Sequence, residues 1–203
     1  MNASTNHLMN ASTNHLMNKI DNYKSRLCSS INAVSSESLV AAAELINDAI
    51  NTGRNIFVCG NGGSASLSQH FSIDMGLGNR KVNISKGARI IDLSSNAPIL
   101  TATANDFHYE EVFSKQIELL AKEGDLLVAI SSSGNSSNIL KAVETAKLLN
   151  MKTLGLCGFD GGRLMKKADI SVHVGTKLND YGVVEDSHSF VLHVIAELIR
   201  LGE

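Results

Sequence analysis

The chain has 203 residues, 43% of them hydrophobic, and its 18 basic and 20 acidic side chains leave a formal charge of −2. That suffices for one domain with a real core, and it shows neither the basic footprint of a nucleic-acid binder nor an apolar run of the roughly 20 residues that spans a bilayer. The three cysteines, Cys28, Cys59 and Cys157, lack CxxC spacing and read as reduced, buried thiols; with no signal-peptide pattern, the expected compartment is the cytoplasm.

The octamer MNASTNHL fills residues 1–8 and again 9–16. A perfect polar duplication of this kind is expected to form a disordered tail outside the fold, although its Asn and His residues could also be read as a metal-binding tract. Met17 is then the natural start, and 17–203 is a single domain. Ile20, Tyr23, Leu27 and Ile31, spaced by three and four, predict an amphipathic helix. SESLVAAAELINDAI predicts a second helix, stopped at Gly53.

From there short apolar runs alternate with helical patterns. The runs are NIFVC, ARIIDL, LLVAI, TLGLC and ISVHV, and their near-continuous apolar character suits parallel strands covered on both faces. Helices are expected near Ser64–Leu77, Glu110–Lys122, Ser136–Leu149, Gly162–Lys167 and Val184–Leu201. The alternation implies an α/β fold, a doubly wound sheet of about five parallel strands between two helical layers. The single proline, Pro98, and the lack of a long linker argue against a second domain. Right-handed crossovers bring the C-terminal ends of the strands to one edge, where ligands bind.

Two loops at that edge carry the chemistry. The first, CGNGGSAS (59–66), follows a strand and opens a helix. Its glycines permit close backbone approach, the helix start supplies free N–H groups and Ser64 adds a hydroxyl, which together suit an anion. The same residues could form a simple turn with Ser64 as N-cap. Gly60, Gly62 and Ala65 also match the G-x-G-x-x-A dinucleotide fingerprint, with Asp92 ending the next strand as a ribose partner. The second loop, SSSGNSSN (131–138), decides between them. A dinucleotide needs one such loop. Hydroxyls of Ser131, Ser132, Ser133 and Ser136 converging with a second helix start suit a single phosphate monoester, held without arginine or lysine.

GNGGSAS, AND, SSSGNS and GFDGG, in this order and spacing, resemble the sugar isomerase (SIS) domain family, and within it the phosphoheptose isomerase group. The resemblance runs from about Asn18 to Leu201. It implies a flavodoxin-like αβα sandwich with an added N-terminal helix pair, assembled as a homotetramer with active sites at subunit interfaces. The implied reaction turns sedoheptulose 7-phosphate into D-glycero-D-manno-heptose 7-phosphate for bacterial surface glycans, without a nucleotide cofactor. Asn61, Gly62, Ser64, Ser131, Ser132, Ser133 and Ser136 fall where the family holds the sugar phosphate, and Asp106 falls on another substrate position. The family's His and Glu on the helix after the first loop correspond to His70 and Asp74. Its Gln and His on the last helix correspond to Glu185 and His193, and its arginine meets Gly78, with Arg80 nearby. Zinc, where bound, would use His70, Asp74, Glu185 and His193, a mixed nitrogen–oxygen set.

Ketose–aldose exchange needs a base at the C1–C2 pair and an acid near their oxygens. His70 and Asp74, four apart, share one helix face about 6 Å apart along the axis, a spacing that also suits a plain solvated ion pair. Glu185 and His193 are separated by about 12 Å and turned by about 80° on one helix, so a shared ion requires a bent helix start or two subunits. Asp74 or Glu185 is expected as the base and His193 as its partner acid–base. His188, about 140° from His193, faces elsewhere. A phosphosugar-binding module that partners another protein, such as a replication initiator, is the alternative on this scaffold; it would have no use for those four polar side chains.

Overall fold

The five apolar runs become five parallel strands in the computed structural model, which describes residues 3–77 and 88–201. In chain order the elements are α1 (Ala3–Asn32), α2 (Ser36–Asn51), β1 (Asn55–Cys59), α3 (Gly63–Leu77), β2 (Arg89–Asp92), α4 (Ala97–Asp106), a 3-10 turn (Tyr109–Glu111), α5 (Ser114–Leu120), β3 (Leu126–Ser131), α6 (Ser137–Leu148), β4 (Lys152–Cys157), α7 (Leu164–Lys167), β5 (Ile170–His173) and α8 (Tyr181–Leu201). The sheet order is β2-β1-β3-β4-β5, all parallel. This is the doubly wound arrangement that the alternation predicts.

Side chains alternate across the sheet with the two-residue period of a strand. Ile56, Val58, Val128 and Leu156 face a core shared with α2, α3 and α8. Phe57, Cys59, Leu127 and Cys157 face the opposite core, under α5, α6 and α7. Because both faces are covered, every residue of β3 is buried, which is why that strand reads as one continuous apolar run.

Helix α1 begins at Ala3, within the duplicated octamer. The duplicated octamer contains no Gly or Pro to break a helix. The stretch from Thr13 to Ile20 is exposed, and α1 packs on α8 only further along. There the Tyr23 hydroxyl donates to Asp186 Oδ2 at 2.7 Å and Arg26 pairs with Asp180. The sequence reading omits α4. Pro98 sits in its first turn, where a missing N–H is harmless, and Asn96 caps it by accepting from Ile99 N at 3.3 Å. Of the cysteines expected to be buried, Cys59 and Cys157 are, whereas Cys28 is exposed on α1. Burial pushes the Cys157 thiol up to about 12, with Asp160 adding to the shift. Burial raises Cys59 as well, so neither acts as a thiolate nucleophile.

Candidate active site

β1 and β3 are neighbours in the sheet, yet the chain leaves them in opposite directions, to α3 on one face and α6 on the other. A crevice opens at such a switch point, and both serine–glycine loops lie in it. Asn61, Ser64, Ser131, Ser132, Ser133 and Ser136 line one hollow of about 120 Å³, together with Ile130, Tyr181 and Glu185. Its donors are hydroxyls, an amide and the starts of two long helices, with no lysine or arginine among the lining residues. Such a hollow takes a small anion. Ser131 and Ser136 hydroxyls bond each other at 3.1 Å, and Ser133 Oγ accepts from Asn135 N at 3.1 Å. Gly62 turns the chain ahead of α3 and is not among the lining residues.

The second loop is braced from below by GFDGG (158–162). Gly158 N donates to Ser132 O at 3.0 Å, Leu164 N to Gly134 O at 2.9 Å, and Arg163 N to Asn135 Oδ1 at 3.1 Å. Gly134 has φ of 61°, and a Cβ there would run into the Gly161 carbonyl oxygen. Gly134→Ala should therefore lower unfolding stability by about 2 kcal/mol. Urea denaturation checks this, and an unchanged midpoint would show that the loop adapts.

A second polar group lies further along the helices. The imidazoles of His70 on α3 and His193 on α8 meet Nε2 to Nε2 at 2.9 Å, and Asp74 Oδ2 lies 3.3 Å from His70 and 3.4 Å from His193. Their potential ligand atoms all fall within 4.8 Å of one another, and two imidazoles with one carboxylate match the donor preference of zinc. Glu185, the fourth residue of the expected zinc set, is not in this cluster. Its carboxylate lies where a Cβ on Gly63 would be, at the α3 N-terminus, about 10 Å of helix from His70. The eight-residue spacing on α8 is the physical reason. Asp106 ends α4 exposed, bonded to Asn105 Nδ2 at 2.8 Å, and is not among the hollow's lining residues. Gly78 and Arg80 lie outside the described residues.

Asp92, the ribose partner of the dinucleotide alternative, is already engaged. Its Oδ1 accepts from Ser68 Oγ and from Ser94 N, both at 2.9 Å, and Ser94 Oγ in turn donates to Gly60 O at 3.1 Å. It braces the first loop. Sequence reasoning missed three residues here: Tyr181 in the hollow's wall, Asn138 beneath it, and Tyr109, whose hydroxyl reaches Asn61. Only Asn138 had a signal, as the last residue of SSSGNSSN.

Loops, switch point and strand order together define a phosphosugar-type α/β scaffold, and the SIS-domain family profile matches residues 21–158. A phosphoheptose isomerase from Helicobacter pylori (strain P12) is 40% identical over 178 residues, covering 88% of this chain and 90% of that protein. The solved phosphoheptose isomerase from Francisella tularensis superposes with a TM-score of 0.81 at 28% identity, over 94% of this chain and 98% of that one. The solved enzyme from Neisseria gonorrhoeae gives 0.78 at 31% identity, over 95% and 98%. The chain belongs to the SIS-domain family, in its phosphoheptose isomerase group.

Proposed function

We propose that the chain interconverts sedoheptulose 7-phosphate and D-glycero-D-manno-heptose 7-phosphate, supplying heptose for a bacterial surface glycan from the cytoplasm. The observation that carries this is the single hollow lined by hydroxyls from two separate crossovers, with a His–Asp–His cluster further along α3, between it and α8. The hollow takes the phosphate, Asn61, Ser64 and Ser131, Ser132, Ser133 and Ser136 supplying donors. Asp106 is a further substrate contact once the open-chain sugar is bound.

Isomerisation moves a proton from C1 to C2, or back, and another between their oxygens. Asp74 directs Oδ2 at both imidazoles, leaving Oδ1 to take the proton from carbon and return it to its neighbour. Where no metal occupies its Nε2, His193 carries the proton between the oxygens. Glu185 is the rival base. His70, Asp74 and His193 would hold zinc, which when bound polarises the sugar's oxygens. Glu185 could complete that set only from a second subunit.

His70 and His193 side chains are 50% and 54% exposed. Chemistry of this kind needs water excluded, so a second copy over the α3–α8 surface, as in a homotetramer with shared sites, supplies the missing wall. Zinc titrated into the apoprotein should bind, and His70→Ala should weaken it by at least about tenfold. Equal zinc affinity in both proteins would remove His70 from the ligand set.

The activity is tested by incubating the purified protein, zinc supplied, with sedoheptulose 7-phosphate in deuterated water. NMR should show the aldose appearing with deuterium at the exchanging carbon. No exchange with any five- to seven-carbon ketose phosphate overturns the reading. A sugar phosphate that raises the melting temperature without being converted would favour a binding module.

A further inference from the structure

Asn61 does not stand alone in the phosphate hollow. Its Nδ2 donates to Asn138 Oδ1 at 2.9 Å, and Asn138 Nδ2 donates back to Asn61 Oδ1 at 2.8 Å. An amide's oxygen and nitrogen are told apart by their partners, and one partner here is unambiguous. The main-chain N–H of Ile139 donates to Asn138 Oδ1 at 3.0 Å. A main-chain N–H can only donate, so it fixes which end of Asn138 is oxygen, and the reciprocal pair then fixes Asn61. The Tyr109 hydroxyl donates to the same Asn61 Oδ1 at 3.1 Å.

Asn61 Oδ1 therefore accepts two hydrogen bonds, which fill both lone pairs, while Nδ2 uses one of its two N–H groups. One N–H remains, and it is all that the side chain can offer to the hollow it lines. Three distant segments converge to produce this state: the loop after β1, the 3-10 turn after α4, and the first turn of α6. Asn138 is only 2% exposed, so water does not compete well for the pair and its bonds are strengthened by burial.

We infer that Asn138 and Tyr109 are positioning residues that hold Asn61 as a one-way donor. At Asn61 the hollow then offers a donor to an ionised phosphate oxygen and no acceptor to a ligand hydroxyl. Without the lock the amide can turn over and present its carbonyl oxygen to the anion, in a hollow that Glu185 already makes more negative. The inference rests on the phosphosugar reading of this hollow and adds how the anion is recognised.

Inorganic phosphate is the probe, titrated calorimetrically into the full-length protein and its Asn138→Ala and Tyr109→Phe variants at pH 8. Phosphate Kd should rise about tenfold for Asn138→Ala and about threefold for Tyr109→Phe. KM for sedoheptulose 7-phosphate should rise by the same factors with kcat within twofold. The preference for dianionic over monoanionic phosphate, read by repeating the titration at pH 6, should narrow in both variants. Tyr109 is 60% exposed, so its variant keeps the fold and decides the matter if Asn138→Ala does not. An unchanged phosphate Kd in Tyr109→Phe, or a loss of kcat at constant KM, overturns the inference. Variant-dependent phosphate affinity in a protein that converts no sugar supports it and removes only the isomerase reading.

Discussion

Asp74→Asn is expected to lower kcat for ketose–aldose exchange by about a thousandfold, with phosphosugar affinity changed by no more than a few-fold. The amide keeps the size of the side chain and a contact to the imidazoles, but it cannot accept a proton from carbon. Affinity should survive because Asp74 is not among the residues lining the phosphate hollow. Glu185→Gln is the companion measurement. Glu185 does line that hollow, so its carboxylate opposes a bound anion, and neutralising it should tighten phosphate binding several-fold. With Asp74 as base, the Glu185→Gln protein keeps kcat within about tenfold. The reverse pattern, with Glu185→Gln inactive and Asp74→Asn active, would move the base to Glu185. The two carboxylates differ in position by more than two turns of helix, so the outcome also says where the C1–C2 end of the sugar lies.

Most of the fold was legible because burial on both sheet faces leaves an unmistakable pattern. Strands β1, β3 and β4 are buried almost throughout, and their runs match the observed spans to within one residue. Helix α4 was not legible. Its sequence APILTATAND has little apolar periodicity, since it buries little beyond Thr103, Leu100 and Ala104 against the core. The two serine–glycine loops that line the hollow were legible through local chemistry, glycine for the turn and serine for the hydroxyls. The amide lock was not, because Asn61 and Asn138 are 77 residues apart and Tyr109 lies on an element that carries no motif. Glu185 shows the same limit from the other side. Helical geometry separates it from His193 within one chain, and that separation holds in the folded protein, but no spacing rule could say that its carboxylate rests against Gly63.

Acid should weaken the fold through one histidine outside the site. His188 on α8 is fully buried, and among the described residues neither ring nitrogen has a partner in hydrogen-bonding geometry. Burial lowers its pKa to about 4; the Cys157 main chain opposes the shift only in part, and His173 adds to it. In the unfolded chain the same ring titrates near 6.5. Between these values the unfolded state binds a proton that the folded state refuses, so stability is full above about pH 7.5 and falls as pH drops from 6.5 towards 4. The loss from this ring alone should reach about 2 kcal/mol at pH 5 and about 3 kcal/mol near pH 4. His188→Leu removes the titrating group at similar volume. Since the Cys157 main chain lies outside normal hydrogen-bond geometry to the ring, the variant should be near wild-type stability at pH 7.5. Urea denaturation of both proteins at pH 7.5, 6 and 5 gives the difference directly, with the ordinary carboxylates cancelling between them. If wild type and His188→Leu lose stability in parallel as pH falls, the ring is protonated in the folded chain and His188 must have found a counter-charge or water at the sheet edge.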